Sequence, residues 1–158
     1  MARSTFVYVT YIRTTPQKLW SALTDADFMK RYWFGMRCES RWTPGSSWQL
    51  VSDDGRIFDA GEIVEAEPPR RLVIRWQHRL KPELEAEGAS LCTMELEPGG
   101  GAVKLSITHT IERDPSKFIE AVSGGWPKIL SNLKSLLETG SAVLTDPYPA
   151  ARAQPAKP

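Results

Sequence analysis

The stretch from Phe118 to Leu137 constrains the fold more than any other part of the chain. At 100° per residue, Phe118, Ile119, Val122, Trp126, Ile129, Leu130, Leu133, Leu136 and Leu137 fall within an arc of about 120°, the signature of a helix that buries one broad face. The phase survives across "SGGWP", Ser123 to Pro127, so the pattern describes one helix and not two. Pro127 cannot donate to the carbonyl of Ser123, and its ring is expected to bend the axis there. Asp114 is placed to cap the helix with Pro115 at its first position, and Gly140 falls where a left-handed C-cap is wanted. Such a rod is roughly 36 Å long at 1.5 Å per residue, enough to cross an entire sheet.

The sheet lies upstream. Thr5 to Ile12, "TFVYVTYI", is rich in β-branched and aromatic residues and reads as a strand. Thr15 and Pro16 then form a helix start, with Leu19, Trp20 and Leu23 on its buried face. Asp25 caps a second short helix that ends in the aromatic cluster Tyr32, Trp33 and Phe34. From Met36 to Ile111 the pattern is strand-like. "MRCESRW" alternates, with Met36, Cys38, Ser40 and Trp42 on one face. Turn signals at Pro44-Gly45 and Asp54-Gly55 flank a strand carrying Trp48 and Leu50, and Pro68-Pro69 separates two more. Leu72, Ile74, Trp76 and His78 share a face. A hairpin turns at Pro98 to Gly101, aligning Cys92, Met94 and Leu96 on one arm and Val103, Leu105, Ile107 and His109 on the other. "RLKPELEAEGAS", between strands, reads as a surface loop.

The order is therefore strand, two short helices, about six antiparallel strands and one long helix. A seven-stranded antiparallel sheet needs its apolar face covered, and only the last helix is long enough to do it. The expected fold is α+β, a curved sheet wrapped around the C-terminal helix, with the bend at Pro127 following the curved floor. Residues 1–140 form a single domain on this reading. The remainder, 141–158, is rich in proline and alanine and is expected to be a loosely ordered tail.

Composition narrows the function. With 158 residues and a net charge of +1, the chain is one domain's worth and shows no electrostatic footprint for nucleic acid or an anionic membrane. The start "MARSTFVYVTYI" lacks a signal-peptide core, and no apolar run approaches the roughly 18 residues that span a bilayer. The expectation is a soluble, cytoplasmic protein without membrane insertion. Cys38 and Cys92 suit a reducing compartment and leave a single disulfide open.

A curved sheet and a straight helix touch best along a line, and side chains must fill the wedge beside it. Trp76 and Met94 from the sheet, Trp126 and Leu130 from the helix, and Trp33 and Phe34 from the short-helix corner converge on that wedge. Two readings stand: a closed, packed core, or an apolar pocket furnished with a few polar groups. His109 is the leading polar candidate for such a pocket and His78, which ends its strand, a weaker one. A histidine on an apolar strand face serves as hydrogen-bonded structure or, in a pocket, as a general base. Other constellations carry less. Cys38, His78, Cys92 and His109 lack the paired spacing of a zinc site, so no metal is expected. "PGGGA" turns a hairpin and lacks the helix and lysine of a phosphate loop. Asp59, Glu62, Glu65 and Glu67 read as a solvated strand edge.

Three separated stretches, "GEIVEAEPPRRLVIRW", "LSITHT" and "GGWPKILSNLKSLLETG", resemble in order the bacterial branch of the activator-of-Hsp90-ATPase-homologue family within the START-like, or SRPBCC, superfamily. "VYVTYIRTTPQKLWSALTDADFMKRYW" is similar to its first strand and paired helices. The likeness spans Thr5 to Gly140 and implies a helix-grip fold with an apolar cavity between sheet and helix. Trp76 matches the tryptophan closing the first motif, His109 the histidine of the second and Trp126 the tryptophan of the third. The resemblance implies that all three look toward the cavity. Lipid carriers, hormone receptors, polyketide cyclases and hydroxylase components share this grip, and fold does not decide among them. The expectation is a carrier of a small apolar or amphipathic molecule. The alternatives are an enzyme of the polyketide cyclase/dehydratase or hydrolase type using His109, and an Hsp90-type co-chaperone or other partner module. Eukaryotic activators carry a separate amino-terminal domain for the chaperone, for which this chain has no room, so stimulation of Hsp90 is not expected. No cofactor is expected, and a homodimer is left open.

Overall fold

A computed structural model describes residues 2–145 of the chain. Its strands are β1 (Ser4–Ile12), β2 (Arg37–Ser40), β3 (Ser47–Val51), β4 (Ile57–Glu67), β5 (Arg71–His78), β6 (Ser90–Gly99) and β7 (Ala102–Ile111). Its helices are α1 (Pro16–Thr24), α2 (Ala26–Met29), α3 (Pro82–Glu85) and α4 (Lys117–Thr139). The strands form one antiparallel sheet in the order β1-β7-β6-β5-β4-β3-β2. β1 and β2 are thus the two edges, and α1 and α2 carry the chain from one edge to the other. α4 lies in the hollow of the curved sheet, which gives the helix-grip architecture.

The starts of α1 and α2 follow from their side chains. The Thr15 hydroxyl accepts from the Lys18 N–H at 3.2 Å, and the Asp25 carboxylate accepts from the Asp27 and Phe28 N–H groups at 2.9 and 3.1 Å. α1 buries Leu19, Ala22 and Leu23, while Trp20 is half-buried. Alternation in β6 and β7 sends Cys92, Met94, Leu96, Val103, Leu105, Ile107 and His109 inward. On the outer face, Arg75 pairs with Glu62 at 2.9 Å, and Arg71 bridges Glu65 and Glu95 at 2.7 and 2.8 Å. Both cysteines are free thiols, pushed up by burial.

Gly61 in β4 pairs with Trp48 on one side and Trp76 on the other. A Cβ at Gly61 would lie 1.7 Å from the carbonyl oxygen of Arg75, so the two strands meet there only because no side chain intervenes.

Four expectations are corrected. α4 begins at Ser116, not Asp114: the Ser116 hydroxyl accepts from the Ile119 N–H at 3.1 Å. Asp114 is instead engaged by the Ser4 hydroxyl at 3.2 Å, and Pro115 precedes the helix. The segment read as a surface loop contains α3, whose Leu84 is buried. Glu87, just after it, takes the Ser116 hydroxyl at 2.6 Å and the Lys117 and Phe118 N–H groups at 2.9 and 3.3 Å. Desolvation opposes the charge on Glu87, yet these hydrogen bonds hold its carboxyl below the ordinary range, as suits an anion at a helix N-terminus. β2 stops at Ser40, and Trp42 adopts a left-handed backbone (φ 60°) instead of continuing the strand. Asp59, read as solvated, is buried.

The far end of α4 follows expectation, with Gly140 left-handed (φ 87°) and its N–H donating to the Leu136 carbonyl. Of the segment expected as a tail, residues 141–145 are described, and residues 146–158 lie outside the described residues. Asn132 holds Leu144 through both its amide donor (2.8 Å) and its carbonyl oxygen (2.7 Å). Among the described residues no helix is long and apolar enough to cross a membrane.

Candidate functional site

The wedge between α4 and the sheet is partly open. A cavity of about 270 Å³ lies between the first half of α4 and strands β3 to β5. Leu50, Phe58 and Trp76 form its floor, Phe118, Val122, Trp126 and Ile129 its helical wall, and Trp33, Phe34 and Met36 its corner. Leu84 of α3 closes one side, and Gly125 and half-buried Lys128 complete the helical wall. The half-burial of Val122 is explained by this: its side of the helix faces open space, not packed side chains. Phe34 reaches the corner with φ at 55°, a left-handed conformation that costs a non-glycine residue about 1–2 kcal/mol.

Four of the expected site residues, Trp33, Phe34, Trp76 and Trp126, line this cavity. Trp126 meets Trp33 edge-on at 5.6 Å between ring centroids and Trp76 at 5.8 Å. Met94 and Leu130 lie deeper, beside a separate void of about 20 Å³. They belong to the packed end of the wedge.

His109 lies behind the indoles and does not line the cavity. It is fully buried, and both ring nitrogens are engaged. The Trp126 indole N–H donates to Nδ1 at 3.2 Å, and an indole N–H can only donate, so the neutral ring carries its proton on Nε2. That proton goes to the Ser90 hydroxyl at 2.8 Å, which donates onward to the Trp76 carbonyl at 3.1 Å. Burial pushes the His109 pKa down to about 3, so the imidazole stays neutral. Its hydrogen bonds tie β5, β6, β7 and α4 together and leave no nitrogen for a ligand.

The cavity's polar group is one that sequence reasoning undervalued. Asp59 and His78 are direct partners across β4 and β5, and both line the cavity. His78 Nδ1 stands 2.8 Å from Asp59 Oδ1, with little of either side chain exposed. A carboxylate only accepts, so Nδ1 donates to it, and in the neutral ring Nε2 is then the nitrogen with the lone pair. Nε2 is buried and has no hydrogen-bond partner among the described residues, and the same holds for the indole nitrogen of Trp76. An imidazole so arranged can accept a hydrogen bond or a proton. The sequence did contain a signal: counting back by twos from buried Ile63 puts Gly61 and Asp59 on the core face. Among the described residues no three histidine, cysteine or acidic side chains converge as a metal site.

The curved sheet gripping a long helix, with an apolar cavity between them, defines a START-like class of protein. The family model described as "Activator of Hsp90 ATPase homolog 1-like protein" matches residues 13–138, and the chain belongs to that family. No curated protein matches the sequence. Among solved structures, the Aha1 dimer from Colwellia psychrerythraea is 22% identical, with a TM-score of 0.69 over 87% of this chain and 98% of that one. PFC0360w, described as an HSP90 activator from Plasmodium falciparum, is 24% identical, with a TM-score of 0.69 over 84% of this chain and 95% of that one. DynU16, from the dynemicin biosynthetic locus, is 23% identical, with a TM-score of 0.71 over 87% of this chain and 48% of that one. Likeness at this level of identity speaks for the fold.

Proposed function

We propose that this protein binds a small, mainly apolar or amphipathic molecule in the cavity between α4 and the sheet. The observation that carries the reading is the cavity itself, about 270 Å³ walled by indole, phenyl and aliphatic side chains. Gly125 supports it. Glycine inside a helix costs about 0.5–1 kcal/mol relative to alanine, yet a Cβ there would meet nothing within 4 Å. The helix leaves out a side chain that it has room for, on the wall of the cavity. A bound hydrophobe gains roughly 25 cal/mol for each Å² of apolar area it removes from water.

Trp33, Trp76 and Trp126 line the cavity and report on its contents. Titration with a panel of lipids and aromatic molecules is expected to change tryptophan emission saturably for at least one class. A panel that leaves the emission unchanged throughout would end this reading. A partner-protein role has separate support in the family to which the chain belongs and in the description of the Plasmodium neighbour. Co-precipitation with Hsp90, followed by an ATPase assay, tests that role directly.

A further inference from the structure

We propose that His78, backed by Asp59, is the recognition point for a hydroxyl group on the bound molecule, and that the ligand is a flat, two-ring aromatic alcohol or phenol. The proposal rests on the cavity being a binding site and specifies what binds there.

The size argument comes first. A dry apolar cavity of roughly 150 Å³ accommodates benzene. At about 270 Å³, this cavity has room for a molecule of two fused rings. Its walls are aromatic: Trp33, Trp76 and Trp126 line it and pack edge to face on one another, at 71° and 70°, as one connected indole surface.

The polar argument fixes the substituent. A buried nitrogen without a hydrogen bond costs about 1–3 kcal/mol. His78 Nε2 is such a nitrogen, and the hydrogen bond from Nδ1 to Asp59 fixes the tautomer in which the neutral ring offers Nε2 as the acceptor. The Trp76 indole N–H, two residues away on the same face of β5, is an unpartnered donor. A hydroxyl donates one hydrogen bond and accepts others, so it is the smallest group able to answer either. A carboxylate answers only the donor and would sit beside Asp59, where like charges repel. A pure hydrocarbon answers neither. Asp59 acts here through His78 and is a positioning residue.

The test compares 2-naphthol with 2-methylnaphthalene, which matches it in shape but cannot donate, by calorimetry on the full chain. The wild type is expected to bind 2-naphthol about tenfold more tightly, the upper range of one ordinary hydrogen bond. His78→Leu should abolish that preference, read as the ratio of the two affinities within the variant. Asp59→Asn should reduce the same ratio, which a merely structural role for Asp59 would not do. Equal affinity of the wild type for both probes overturns hydroxyl recognition while leaving hydrophobe binding intact. Full preference in both variants overturns the assignment to His78. If neither probe binds but larger hydrophobes do, the two-ring size is wrong; if no hydrophobe binds, the cavity reading falls with it. Should His78→Leu fail to fold, the wild-type ratio and Asp59→Asn decide.

Discussion

His109 and His78 show how differently one side-chain type behaves on the same face of one sheet, on β7 and β5 with β6 between them. His109 has a donor on one nitrogen and an acceptor on the other, both supplied by the core. His78 has a carboxylate on one nitrogen and, among the described residues, no partner on the other. The first arrangement is worth stability and is visible in its pH dependence. Unfolded, an imidazole takes up a proton below about 6.5; folded, His109 stays neutral down to about 3. As pH falls through that window the unfolded state binds a proton that the native state refuses, so stability is lost at up to about 1.4 kcal/mol per pH unit. Above the window His109 adds no slope. Urea unfolding of wild type and His109→Leu should therefore show a fall from pH 7 to pH 5 about 2 kcal/mol larger in the wild type. At pH 7 the variant itself should be less stable by about 1–3 kcal/mol, because the Trp126 N–H is stranded. Parallel pH profiles would contradict a buried neutral His109.

At the scale of elements, β4 and β5 carry the site and are held by an unusually close backbone approach. Gly61 stands between Trp48 and Trp76, whose ring centroids are 4.4 Å apart. Gly61→Ala should separate the strands, disturb the alignment of Asp59 with His78 two residues on, and cost about 3 kcal/mol or more. Its midpoint in denaturant should fall accordingly; a variant as stable as wild type would show that the strands can slide without loss. α4 was almost wholly legible in the sequence, because a helix writes its buried face at a local period. Its start was not. The cap turned on Glu87, a residue close in space but remote in sequence, which favoured Ser116 over Asp114. α3 was hidden for a related reason, since four residues are too few to display a period.

For the molecule as a whole, the central question is whether the cavity is used. A ligand that binds only the native state stabilises it by about 2.7 kcal/mol at a hundred times its Kd. For a chain of this length that corresponds to a rise in Tm of roughly 5–11 °C. Gly125→Leu should fill the cavity from the helical wall, where a Cβ meets no neighbour. That variant should melt at or above the wild-type temperature without ligand and should show no rise with it. A variant that still gains the full shift would place the ligand elsewhere.

The sequence alone determined the order of the strands and of every helix but α3, the long C-terminal helix, most strand faces and the convergence of Trp33, Phe34, Trp76 and Trp126. All of these depend on periodicities of two or 3.6 residues, and the chain carries them locally. Tertiary structure decided which histidine was closed and which was open. That choice depends on strand register, since pairing Asp59 with His78 and setting Ser90 and Trp126 against His109 are relations between residues distant in sequence. Whether the wedge was packed or hollow was settled the same way. The volume left between a curved sheet and a helix is a difference between two large surfaces, and no local pattern encodes a difference of that kind.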